Sequence, residues 1–195
     1  SCICGKRTIV HADIYDDFAK RFIQALKDVK LGDPMDEDTG LGPLSSEGQR
    51  DTVLDQVDKA KKEGCTLLFG AEKIDKPGAW MTAGLLTDVP VGSETGTDEI
   101  FGPVGQLYKA KDIDEATTIA NAIPFGLGSA VWTTDDSEQE HFANAIEAGM
   151  TTFNGVNGSK IEAPFGGIKR SGHGRELAEF GLHEFMNLKT LVHPA

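Results

Sequence analysis

The chain has 195 residues, 39% of them hydrophobic, with 23 glycines and 8 prolines, a balance that suits a compact α/β domain with its own core and excludes a disordered chain. Asp and Glu number 31 against 19 Lys and Arg, a formal charge of -12, which repels phosphate backbones and anionic lipid and argues against nucleic acid or a membrane surface as partner. No apolar run reaches the ~18 residues of a membrane span, and no basic-then-apolar leader is legible.

The first seven residues, Ser1-Cys2-Ile3-Cys4-Gly5-Lys6-Arg7, set two thiols one residue apart and directly before two cations. A sulfur near Lys and Arg has its thiolate favoured, so Cys2 is the leading candidate nucleophile. A chain that begins without Met on its most reactive residue reads as a piece of a longer enzyme. The three cysteines, Cys2, Cys4 and Cys65, form no disulfide framework and point to a reducing compartment, the cytoplasm or an organelle matrix. His11 is the only imidazole near the thiol pair, too few soft ligands for a metal, and the five histidines show no ligand spacing.

From Arg7 onward strand and helix patterns alternate. Arg7–His11 is β-rich, and Asp13 then caps a helix whose apolar face runs through Ile14, Phe18, Phe22, Ala25 or Leu26, and Val29. Gly32-Asp33-Pro34 stops it, Ser45 or Ser46 opens a second helix through Val53, Val57 and Ala60, and Gly64 ends that one. Residues 66–69, 85–89, 104–108 and 129–133 read as buried strands, with helices near 114–122 and 137–148. Such alternation predicts a largely parallel, Rossmann-like sheet covered by helices on both faces.

After about residue 150 the character changes. Gly155-Val-Asn-Gly158 and Pro164-Phe-Gly-Gly167 are loop signals that let main chain approach a ligand closely. Residues 175–180 read as a short helix and Asn187–Val192 as a terminal strand that pairs outside the core. Residues 1–185 are therefore one domain, partial if the chain is a piece, and residues 186–195 an arm for assembly. Arg170 and Arg175 are read as bonding loop carbonyls, not as a phosphate clamp.

Several of these segments resemble one family. Ser1–Arg7 is similar to the segment around the catalytic cysteine of the aldehyde dehydrogenase superfamily, and Glu99-Ile-Phe-Gly-Pro-Val104 to its glutamate-containing cofactor motif. Gly78–Val89, Ala120-Asn121 with Phe125-Gly-Leu127, and Pro164–Gly172 followed by Gly174-Arg-Glu176 resemble later landmarks in the family's order, so nearly the whole chain is covered. The resemblance implies the family's catalytic-domain fold, an NAD or NADP cofactor, an aldehyde substrate and a homo-oligomer.

It also implies roles. A thiolate at Cys2 attacks the aldehyde carbon, and the thiohemiacetal collapses by hydride transfer to a thioester that water cleaves. The Cys2 N–H helps to hold the oxyanion. Glu99 accepts the nicotinamide ribose hydroxyls and Phe101 packs near the nicotinamide end. Ser159, six residues before Phe165, matches the position at which the succinate-semialdehyde group of the family places a serine that holds the substrate carboxylate, which makes succinate semialdehyde the leading substrate, with Ser159 and Phe165 lining its site. Cys4 is a redox partner for Cys2 if the turn between them allows a disulfide, and otherwise a packed small side chain. In the family the nucleotide-binding domain and the general base precede the cysteine, so residues 1–195 alone are expected to be inactive and to bind dinucleotide feebly. Two other readings remain: an interaction module without activity, and a cofactor-free cysteine thioesterase or acyltransferase.

Overall fold

In the computed structural model, which describes residues 3–194, the apolar run after Lys6 becomes strand β1 (Arg7–His11) and the first amphipathic stretch becomes helix α1 (Tyr15–Lys27). Cys2, the expected nucleophile, lies outside the described residues. The chain divides into two compact units, Cys4–Ile123 and a second built on the residues from Pro124 onward.

In the first unit follow α2 (Glu47–Lys62), β2 (Thr66–Gly70), β3 (Gly84–Thr87), α3 (Glu94–Thr97), β4 (Val104–Ala110) and α4 (Ile113–Asn121). The strands pair in the order β1-β4-β3-β2. β1 and β3 run parallel to β4, with Arg7 opposite Gln106 and Gly84 opposite Val104. β2 runs antiparallel to β3, so the sheet is mixed at that edge and otherwise parallel, in keeping with the largely parallel sheet that strand-helix alternation predicts. No helix lies between β2 and β3, and a crossover without one returns the chain as a neighbour of opposite direction.

The period of two along β4 places its residues on alternate faces. Val104, Tyr108 and Ala110 join Val53, Val57 and Ala60 of α2 and Ile119 of α4 in the larger core. Leu107 joins Val10, Leu85 and Ala19 of α1 on the other face. Helices therefore cover both faces of the sheet, as expected. Leu85, Leu86 and Leu107 are fully buried, each contributing roughly 1.5–3 kcal/mol.

In this unit helix starts follow local chemistry with one exception. Ser46, Asp112 and Ser93 cap α2, α4 and α3 through side-chain oxygens. Asp13 does not cap α1: a short 3-10 turn, Ala12–Ile14, intervenes, and His11 accepts the Asp13 N–H through Nδ1.

The second unit holds short elements: β5 (Phe125–Gly126), β6 (Ser129–Val131), α5 (Asp136–Ala145), β7 (Thr151–Phe153), β8 (Ile168–Lys169) and α6 (Ala178–His183). β5 pairs antiparallel with β8, and β6 parallel with β7. The helix expected at 175–180 begins three residues later, at a break where Leu177 and Ala178 sit at φ 63° and 50°, left-handed values that interrupt a right-handed helix. Residues 187–194 belong to no helix or strand, and Leu188, Leu191 and Val192 are exposed. The terminal strand expected at 187–192 has no pairing partner among the described residues, and a strand exists only through pairing. Among the described residues no helix is long and apolar enough to cross a membrane.

Candidate functional site

The site begins at α2. The Ser46 hydroxyl accepts the Gln49 N–H at 3.1 Å and starts the helix, and Val53, Val57 and Ala60 lock one face of it into the core. Gln49 and Gln56, seven residues apart, fall on a common face two turns apart. Facing them is the segment that leaves α3. Its helix is fixed at Thr95, whose N–H is donated to Glu63 Oε2 at 3.0 Å. That bond, the largest influence on it, holds the Glu63 carboxyl below the usual carboxylate range.

Beyond α3, Ile100 is only 4% exposed and plugs the core, while its neighbours Glu99 and Phe101 point the other way and are exposed, Phe101 by 49%. One main-chain carbonyl of α3 and three along the segment beyond it are held by side-chain donors. Gln106 Nε2 donates to Thr95 O at 2.8 Å, Gln56 Nε2 to Glu99 O at 3.1 Å, Gln49 Nε2 to Phe101 O at 2.8 Å, and Lys6 Nζ to Gly102 O. Gln106 is itself fixed, because its Oε1 accepts the Tyr108 hydroxyl at 2.6 Å and both residues are buried. Burial pushes the Tyr108 hydroxyl pKa up, opposed by the Arg7 guanidinium stacked 4.9 Å from its ring centre. Gly102 lies so close to Val53 that a Cβ there would stand 2.6 Å from Cγ2.

Among the described residues nothing engages the Glu99 carboxylate. The nearby cation Lys59 is bonded to Glu94, which raises its pKa. A carboxylate with both oxygens open can accept the two O–H groups of a ribose diol, and a half-exposed ring offers an apolar face. Glu99 and Phe101 could thus hold a diol and an apolar ring side by side. The four donors, Gln49, Gln56, Gln106 and Lys6, were not among the sequence candidates; the seven-residue spacing of the two α2 glutamines was the one available signal.

In the second unit, Ser159 and Lys160 are exposed. Phe165 is half-buried and tied to Glu176 by a reciprocal backbone pair at 2.8 and 2.7 Å. Arg175 donates through one terminal nitrogen to Gly167 O at 2.9 Å and Gly174 O at 2.7 Å, the loop-stabilising role expected of it. Arg170 stacks on Phe125. Gly149, Pro164, Arg175 and Phe180 line a cleft of about 270 Å³ in this unit. Cys4 is a free, exposed thiol and Cys65 a free, buried one whose pKa is raised by burial and then by the charges of Glu63 and Asp88. Glu99 and Phe101 therefore stand together in one unit, and Ser159 and Phe165 in the other. Among the described residues no three His, Cys, Asp or Glu converge to hold a metal ion.

A sequence model described as "Aldehyde dehydrogenase family" matches residues 1–191. The succinate-semialdehyde dehydrogenase [NADP(+)] of Mycobacterium leprae (strain TN) is 48% identical over 191 residues, 98% of this chain and 42% of that protein. The same-named protein of Mycobacterium avium (strain 104) is 49% identical over 98% of this chain and 40% of its own length. Among solved structures, succinic semialdehyde dehydrogenase from Streptococcus pyogenes in complex with NADP+ superimposes with a TM-score of 0.95 at 38% identity, over 100% of this chain and 43% of that one. Betaine aldehyde dehydrogenase from Staphylococcus aureus in complex with NAD+ gives 0.90 at 32% identity, over 95% and 37–38% of the two chains. The chain thus spans about two fifths of the length of the curated relatives it matches.

Proposed function

Because this chain belongs to the aldehyde dehydrogenase family, we propose that the whole protein oxidises an aldehyde, succinate semialdehyde first among them, to the carboxylic acid with NADP as preferred cofactor and NAD as the alternative. The observation that carries the reading is the pair Glu99 and Phe101, both exposed on a segment held at three carbonyls, with the carboxylate unengaged among the described residues. The relatives' names support the choice of substrate and cofactor.

Glu99 would hold the nicotinamide ribose and Phe101 the ring end, and the dinucleotide, when bound there, supplies the hydride acceptor. Cys2 is the nucleophile: its thiolate adds to the aldehyde carbon, holds the carbon as a thiohemiacetal, and after oxidation carries the acyl group as a thioester until water releases it. The sulfur is apt because it is partly ionised near neutral pH and its thioester stays hydrolysable. Ser159 donates its hydroxyl to the substrate carboxylate and Phe165 bounds the substrate's chain. A peroxide would oxidise the Cys2 and Cys4 thiols to a disulfide, taking up their two electrons and two protons as it is reduced to water or alcohol, and a dithiol reductant would restore the nucleophile. Residues 186–195 form an arm through which copies of the protein assemble; Leu188, at 102% exposure, with Leu191 and Val192 is the apolar surface it offers. Unpaired Cys4 and Cys65 suit a reducing, cytoplasmic setting.

The test is aldehyde-dependent reduction of NADP+ and NAD+ by the protein in its full natural length. Succinate semialdehyde should be turned over faster than a small uncharged aldehyde, Cys2→Ala should abolish reduction, and Ser159→Ala should raise KM for succinate semialdehyde alone. Hydrolysis of a thioester without dinucleotide, with no aldehyde oxidation, would establish the cofactor-free thiol enzyme instead.

A further inference from the structure

The segment that presents Glu99 has little secondary structure of its own: residues 98–103 lie between α3 and β4, and the Glu99 carbonyl accepts from Gln56 alone among the described residues. We propose that Gln56 is a positioning residue for Glu99, fixing through its Nε2–H bond to the Glu99 carbonyl the peptide plane from which the carboxylate-bearing side chain departs. This rests on the reading of Glu99 as the ribose-binding acid.

The physical basis is threefold. Gln56 is carried on α2, which Val53 and Val57 anchor at 0% and 2% exposure, so the donor is presented from a rigid element. The amide is neutral, so it grips the main chain without competing for the carboxylate, as a lysine in its place would. The neighbouring cation, Lys59, is already bonded to Glu94 and leaves Glu99 open. With Ile100 locked inward and the Glu99 carbonyl tied to α2, the carboxylate is set on the outer side before any ligand arrives. Less ordering is then left to be done on binding.

The experiment is a double-mutant cycle on the protein in its full natural length, read as the equilibrium dissociation constant for NADP+ by titration. Gln56→Met keeps the volume and the helix and removes the donor. It should weaken binding roughly fivefold, the worth of one neutral hydrogen bond, and raise KM for the dinucleotide with kcat at saturation unchanged. Glu99→Gln should weaken binding roughly tenfold or more, since it removes a charged acceptor. The double variant should bind no more weakly than Glu99→Gln alone, because the bond has nothing left to position. Multiplicative effects would overturn the proposal. Unchanged binding by Gln56→Met beside a weakened Glu99→Gln would overturn the positioning role alone, whereas unchanged binding by Glu99→Gln would overturn the reading beneath it. Amide exchange reads the grip without any dinucleotide: Ile100 and Phe101 should exchange faster in Gln56→Met, and equal rates would also overturn the proposal.

Discussion

Gly102→Ala measures how tightly the cofactor segment is pressed onto α2. The added Cβ would lie 2.6 Å from Val53 Cγ2 and 3.0 Å from Cγ1, against ordinary carbon contacts of about 3.5–4.0 Å, so one side must retreat by about 1 Å. Val53 cannot: it is fully buried and β-branched on a helix, with essentially one side-chain conformation available. The segment must lift instead, and the 2.8 Å bond from Gln49 to the Phe101 carbonyl opens beyond about 3.5 Å, where it no longer holds. Overpacking costs about 1–3 kcal/mol and the lost bond about 1 kcal/mol, together about 2–4 kcal/mol. For a chain of this size that lowers the unfolding midpoint by about 5–15 °C. Thermal and urea unfolding followed by circular dichroism are the assays, with the urea slope unchanged. A midpoint within about 2 °C of the parent would refute the contact between Gly102 and Val53.

Three further outcomes follow from the same geometry. Ser46→Ala removes the cap on the Gln49 N–H and should cost about 1 kcal/mol in urea unfolding; no loss would mean that the helix start is held otherwise. Glu63 has a folded pKa below its unfolded one, so its stabilisation is fully present above the unfolded value, about 4.3, and disappears as pH falls through the folded value. The parent should therefore lose more stability on acidification than Glu63→Gln, and parallel urea midpoints from neutral pH downward would contradict this. Iodoacetamide should alkylate the exposed Cys4 well before Cys65, which is buried with its pKa raised; equal rates by peptide mass would show that Cys65 is not enclosed as described.

Long amphipathic elements were readable because burial imposes a period: the α2 face of Val53, Val57 and Ala60 and the alternation along β4 appear in the residues themselves. The reversed direction of β2 was not readable, since its apolar run looks the same whichever way the strand points. α3 spans four residues, barely one helical period, and β5, β7 and β8 are two or three residues long, held by pairing with distant segments, whereas β6 lies inside the run 129–133 read as a strand. Glu99 and Phe101 were legible only through resemblance, because an exposed acid beside an aromatic has no signature alone. The donors behind them were invisible for another reason: Gln49, Gln56 and Gln106 bond main-chain carbonyls, which every residue carries.

Amide donors have a consequence for the conditions under which the segment keeps its shape. Counterions screen charges, with a Debye length of about 8 Å at 0.15 M ionic strength, and surface pairs such as Arg21 with Asp17 loosen in brine. Three of the four bonds behind Glu99 join uncharged partners, and the fourth sets Lys6 against a carbonyl dipole. Added salt should blunt the acid's long-range pull on its ligand while leaving its aim untouched.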